Sequence, residues 1–172
     1  MKLWPGWLVV LVAACGGNSP AASETTTVNP NPPALEANGT IERVIDGDTV
    51  DIDFDGDLER VRLIGIDTPE TKKPNTPIEC FGPEASDFTH SLLPEGTPVQ
   101  VVRDVEARDD YGRLLGYVYR SDDGLFVNLA IVAGGYARPL TIAPNVNFST
   151  DFVQAARDAE ATDQGLWGGC SG

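Results

Sequence analysis

Between Ile41 and Asp67 apolar residues largely alternate with polar ones, and Asp46-Gly47-Asp48 and Asp55-Gly56 interrupt the run. A period of two puts one face of each segment into a core and the other toward water, which is the mark of half-buried β-strands. Asp-Gly is also a strong hairpin signal. Residues 41–67 therefore read as three antiparallel strands. The last of them carries Arg62-Leu63-Ile64-Gly65-Ile66 into Asp67, Thr68, Pro69 and Glu70. Proline cannot donate to a sheet ladder, so Pro69 marks the strand end. A strand end is a rigid place from which to present carboxylates.

The rest of the chain supplies what closes over these strands. Residues 71–82 hold prolines and no periodicity, and read as a loop. Pro83 suits a first helical turn, with Ala85, Phe88 and Leu92 following at helical spacing until Pro94 and Gly96. Val99, Val101 and Val105 lie on one face of a strand, Asp109 to Arg113 form a turn, and Leu114 to Tyr119 form another strand. A short apolar helix covers Val127 to Val132. A last helix, capped by Ser149 or Thr150 and stopped by Gly165, buries Phe152, Ala155, Ala156 and Ala159. Five short strands with about three helices give a mainly β member of the α+β class, a five-stranded OB-type barrel. Periodicity leaves a split α+β sheet as the competing topology.

The chain has 172 residues, with 26 acidic against 12 basic ones and a formal net charge of −14. That excess argues against holding nucleic acid by bulk electrostatics, since phosphates are gripped by Lys and Arg. It leaves room for a local basic site, or for acids whose charge a divalent cation offsets. The single histidine, His90, reads as a surface residue and closes off His-rich metal clusters and Ser–His chemistry.

Residues 1–14 read as a secretory signal, with Lys2 ahead of an apolar run too short to span a bilayer. Val12-Ala13-Ala14-Cys15 resembles a bacterial lipobox, which makes Cys15 the acylated first residue of an exported, membrane-tethered protein. An ordinary signal peptide is the alternative. Residues 15–39 are rich in Gly, Ser, Thr, Asn and Pro and read as a disordered linker, leaving 40–170 as the domain. With Cys15 lipidated, Cys80 and Cys170 remain as an even pair, either a disulfide or two thiols.

Asp48 and Asp67 end consecutive strands and can meet as oxygen ligands for a hard cation, or serve only as turn formers. Asp51, Asp53 and Asp55 begin like an EF-hand loop, but its twelfth position is Arg62 where a glutamate is needed; these acids read as a solvated face. Arg62 and Arg113 either converge on one phosphate or form surface salt bridges.

Five separated segments occur together here: Val44 to Val50 (VIDGDTV), Arg62 to Glu70 (RLIGIDTPE), Phe81 to Ala85 (FGPEA), Asp110 to Arg113 (DYGR) and Gly165 to Trp167 (GLW). In order and spacing they resemble the staphylococcal nuclease (thermonuclease) family over residues 40–168. The resemblance implies a Ca²⁺-dependent hydrolase that cleaves DNA and RNA phosphodiesters and leaves 3′-phosphate ends. It implies Asp48, Asp67 and the Thr68 carbonyl as calcium ligands, with Asp46 behind them. It implies Glu70 as the group that orients or deprotonates water, Arg62 and Arg113 as the phosphate clamp, and Tyr111 near a terminal phosphate. The domain is expected to be monomeric. Two departures stand out. Thr141 and Ala143 occupy the places of two nucleotide-stacking tyrosines, and Asp110 that of a lysine, which implies weaker substrate binding. A non-catalytic barrel that binds nucleic acid or protein is the alternative.

Overall fold

The computed structural model describes residues 35–71 and 77–170. The first strands are β1 (Gly39–Asp46), β2 (Thr49–Phe54) and β3 (Asp57–Leu63). They pair antiparallel, with Val44 opposite Val50 and Val50 opposite Val61. The hairpin turns fall at Gly47-Asp48 and at Asp55-Gly56, as the Asp-Gly signals require.

The alternation does not run unbroken from Arg62 to Ile66. A turn at Ile64-Gly65 separates β3 from a two-residue strand, β4 (Ile66–Asp67). Gly65 takes φ +83°, and a Cβ there would lie 2.2 Å from the Phe152 ring. Only glycine combines that backbone with that approach. The turn lets β4 leave the barrel wall and pair with a distant two-residue strand, so that Asp67 stands opposite Arg138.

After β4 come α1 (Gly82–Leu92), β5 (Pro98–Val102), β6 (Leu114–Arg120), α2 (Val127–Ala133), β7 (Arg138–Pro139), α3 (Ser149–Ala161) and a single-turn α4 (Leu166–Gly169). The barrel closes in the order β1-β2-β3-β6-β5. The closing contacts are parallel β3–β6 pairing and the short β1–β5 pairing of Gly39 with Val99. The OB-type barrel is therefore the fold, and the split sheet is not. Val50, Ile52, Val61, Leu63, Val99 and Val118 fill the interior, and Ile131, Val132 and Phe152 seal it from the helices. Each such buried aliphatic side chain contributes about 1.5–3 kcal/mol.

Four expectations are corrected. Val105 lies beyond β5 and is exposed, because the chain leaves the sheet at Val102. Phe148, not Ser149 or Thr150, holds the N-cap of α3, with no side-chain cap bond. Its ring packs edge-on against Tyr117 at 4.7 Å, so apolar burial fixes the helix start. The helix gives way at Thr162, ahead of Gly165. The linker ends earlier than residue 39: the Leu35 amide donates to the Ser121 carbonyl, and Asn38 exchanges side-chain bonds with the Val101 backbone. The signal segment, Cys15 and most of the linker lie outside the described residues.

Candidate active site

Three pieces of local structure converge on the outer face of β1, β2 and β3. The first is the turn Asp46-Gly47-Asp48. The buried Thr89 hydroxyl of α1 donates to the Gly47 carbonyl at 2.7 Å and anchors it. A Cβ at Gly47 would lie 2.7 Å from the Thr68 side chain, so glycine lets the turn press against the segment after β4. Asp48 spans that contact. One carboxylate oxygen accepts from the Thr49 hydroxyl at 3.0 Å, the other from the Thr68 amide at 3.1 Å.

The second piece is Arg62. Its Nη1 donates to the Leu63 and Ile66 carbonyls at 3.1 and 2.9 Å, gripping both sides of the Gly65 turn. Its Nη2 lies 3.0 Å from Asp48 and 3.1 Å from Asp67. A carboxylate from the β1–β2 turn and one from β4 thus meet one cationic nitrogen. The turn itself is held by buried Asn128 of α2, whose amide donates to the Ile64 carbonyl at 2.9 Å.

The third piece is the segment from Asp67 to Thr71 together with Glu79. Desolvation by the cleft wall raises the Asp67 carboxyl above its usual range, Arg62 opposes this, and the charges of Asp48, Glu79 and Glu70 add to it. With 58% of the Asp67 side chain open to solvent, the crowd of carboxylates is the firmer cause. Asp46 is raised by burial, while bonds from Thr71 and Gly47 lower it and a side-chain bond with Glu70 raises it. The Glu70 and Glu79 backbones are linked by the Glu79 amide at 3.0 Å, and the Glu70 amide donates to the Glu79 carboxylate at 3.1 Å. Cys80, next to Glu79, forms a disulfide with Cys170 across 90 residues of sequence. A loop of that length gains up to roughly 4–5 kcal/mol in the chain-entropy account. Lys72 and Lys73 lie outside the described residues.

Arg113 arrives from the turn before β6. Asp109 fixes it, accepting from Nε at 2.7 Å and from the Arg113 amide at 2.9 Å. The Arg113 guanidinium lies 5.4 Å above the ring of Tyr111, which is exposed.

All eight residues singled out within the domain's chemistry meet here. Asp46, Asp48, Arg62, Asp67, Thr68, Glu70, Tyr111 and Arg113 line one open cleft of about 970 Å³. Among the described residues no cluster of three or more Asp, Glu, His or Cys is spaced to hold an ion by side chains alone. The donor set is two carboxylates and neighbouring backbone oxygens, all hard, and it suits Ca²⁺ or Mg²⁺ completed by water. A second cavity of about 310 Å³ adjoins Arg62, Tyr111 and Arg113, walled by Leu115, Leu140 and Ile142. Thr141 and Ala143 are not among its lining residues.

Sequence reasoning missed several supports. Asp109 stands four residues before Arg113, a spacing that hinted at the pair. Glu79, Thr71 and Asn128 gave no local signal, because their partners are set by tertiary contact. Asp51 is corrected outright: it is not a solvated acid but a buried one, bonded to Arg43 and Arg60.

A family model described as staphylococcal nuclease homologue matches residues 60–169. A thermonuclease of Staphylococcus intermedius is 43% identical over 127 residues, 74% of either chain. A thermonuclease of Staphylococcus hyicus is 39% identical over 134 residues, 78% of either chain. Endonuclease YncB of Bacillus subtilis is 35% identical over 131 residues, 76% of this chain and 61% of the relative.

Proposed function

The chain belongs to the staphylococcal nuclease family, and on that premise we propose that it is a Ca²⁺-dependent nuclease that hydrolyses DNA and RNA phosphodiesters to 3′-phosphate ends. The observation that carries the reading is the shared cleft, where Arg62 bridges Asp48 and Asp67 while Glu70 and Arg113 line the same walls.

A phosphodiester is already anionic, so attack by water needs charge neutralisation and an aimed nucleophile. Asp48, Asp67 and the Thr68 carbonyl are the residues that would hold the cation. When bound, it supplies Lewis-acid neutralisation of the phosphate charge. Arg62 and Arg113 donate to the non-bridging oxygens as charge builds in the transition state, Arg62 by exchanging a carboxylate contact of its Nη2 for one to phosphate. Glu70 orients the water and accepts its proton as the new P–O bond forms. The P–O5′ bond breaks, and the departing 5′ oxygen takes a proton from solvent. Asp46 stands behind these ligands, its carboxylate accepting from the Gly47 amide at 2.9 Å and from the Thr71 hydroxyl at 2.8 Å.

The non-catalytic reading loses ground because both arginines, Asp48, Asp67 and Glu70 are present and line one cleft. Residues 1–15 support export and a lipid anchor at Cys15, with the domain acting as an extracytoplasmic monomer. The test is cleavage of single-stranded DNA by the purified domain with calcium and with chelator, followed by analysis of the product ends. Calcium-dependent cleavage to 3′-phosphates is expected. Absence of any calcium-dependent cleavage at moderate pH overturns the reading.

A further inference from the structure

A few residues along the same strands from the Asp46-Gly47-Asp48 turn, on the same outer face, lies a basic group that the cleavage chemistry leaves unused. Arg43 of β1, Asp51 of β2 and Arg60 of β3 sit in one row across the sheet, because Arg43 pairs with Asp51 and Asp51 with Arg60. The Asp51 side chain is 4% exposed, whereas those of Arg43 and Arg60 are 59% and 48% exposed. Arg43 donates to it from Nε at 2.9 Å and lies 2.8 Å away through Nη2. Arg60 donates from Nε at 2.8 Å and from Nη2 at 3.2 Å. The Arg60 bond holds the Asp51 carboxyl below the usual carboxylate range despite burial.

We propose that Arg43 and Arg60, braced by Asp51, form a second phosphate subsite that seats the phosphate neighbouring the scissile one on a nucleic-acid strand. The ligand class rests on the nuclease reading; the geometry does not.

Three observations carry it. The stoichiometry leaves a surplus: one buried carboxylate between two guanidiniums has a net charge of +1, matched to one phosphodiester. The nearby Arg108–Glu59 pair is one to one and leaves no such charge. Each guanidinium has five N–H donors, and Asp51 takes one from Arg43 and two from Arg60, so hydrogen-bonding capacity remains on side chains that are half open to water. Position supplies the second observation. Arg60 and Arg62 project from the same face of β3, about 6.6 Å apart along the strand, a separation on the scale of one nucleotide step. Both line the cleft that holds Arg113. The third is charge. Arg43, Arg60, Arg62 and Arg113, four of twelve basic residues in a chain of net charge −14, border this single cleft. Seven acids line the same walls, so among the described lining residues these four guanidiniums are the only cations that a strand of phosphates meets there. Bracing by Asp51 also removes much of the side-chain entropy that two free arginines would lose on binding.

The experiment is fluorescence polarisation with a labelled oligothymidylate of about eight nucleotides, inside the span OB folds cover. Chelator is present so that no cleavage occurs. The full domain is compared with Arg43→Gln, the Arg43→Gln/Arg60→Gln double variant, and Arg157→Gln, a change of equal charge on the exposed face of α3. The double variant is expected to bind about tenfold more weakly, and its slope of log Kd against log salt to fall by about 0.7, the value for one single-strand phosphate. Arg43→Gln, which keeps the Arg60–Asp51 pair and hence the local fold, is expected to lose a smaller part of the affinity. Arg157→Gln should match wild type. A double variant that binds no worse than Arg157→Gln overturns the subsite, even if wild type cleaves DNA with calcium. If wild type fails to cleave but the double variant still shows the loss, the nuclease reading falls and the phosphate subsite stands. If wild type does not bind the oligonucleotide, the subsite falls, and the nuclease reading is decided by the cleavage assay.

Discussion

The two arginines proposed to clamp the phosphate are built in opposite ways. Arg62 is 13% exposed, lies in a barrel strand, and is tied to two carbonyls and two carboxylates. Arg113 is 30% exposed, follows a turn, and is tied to one carboxylate, Asp109, with Tyr111 beneath it. Arg62 is part of the framework that creates the site: it holds the Gly65 turn and keeps Asp48 and Asp67 together. Arg113 is an attachment whose aim depends on one neighbour. A single family site thus contains one cation that shapes the cleft and one that only reaches into it.

The largest effects should come from breaking that asymmetry at its rigid end. Arg62→Ala removes a phosphate donor and leaves Asp48 and Asp67 facing each other without their bridging charge. Cleavage is expected to fall about 10³- to 10⁵-fold, the range for a transition-state arginine, together with a lower melting temperature. Arg113→Ala should cost about 10²- to 10³-fold in kcat, with thermal stability nearly unchanged. Equal melting losses in the two variants would remove the distinction. Asp109→Asn sharpens it further: the side chain keeps its size and loses its charge. A kcat drop of about ten- to hundredfold is expected from misalignment of Arg113, with little change in stability.

The smallest expected effect concerns the braced pair outside the reacting centre. Asp51→Asn should lower stability at neutral pH by about 1 kcal/mol, since both arginine partners are half exposed and solvent screens them. The sign with pH follows from Asp51 being held below the usual carboxylate range. Its contribution is present at neutral pH and disappears as pH falls through the lowered folded value. Urea unfolding should therefore show the gap between wild type and Asp51→Asn closing in acid. A gap that widens in acid contradicts the assignment.

Much of this site was legible because its parts are local. The alternation from Ile41 to Leu63 and the Asp-Gly turns fix three strands, and the strand ends carry Asp48 and Asp67. What stayed hidden depends on distant chain. Parallel β3–β6 pairing closes the barrel through residues some fifty positions apart in sequence: Val61 meets Leu114. The break at Gly65 follows from the Phe152 ring that arrives from α3. Asp51 reads as a surface acid until register sets it between arginines of two other strands. Glu79 matters only because the Cys80–Cys170 bond and the Glu70 backbone hold the loop ends together. Phe148 displaces two good capping residues because its ring has a pocket to fill.

The most direct test is a double-mutant cycle on calcium-dependent DNA cleavage, with Arg62→Ala, Arg113→Ala and the pair combined. If both guanidiniums act on one phosphate in one transition state, the losses are strongly non-additive, and the double variant is little slower than Arg62→Ala alone. Losses that multiply would contradict a single shared clamp.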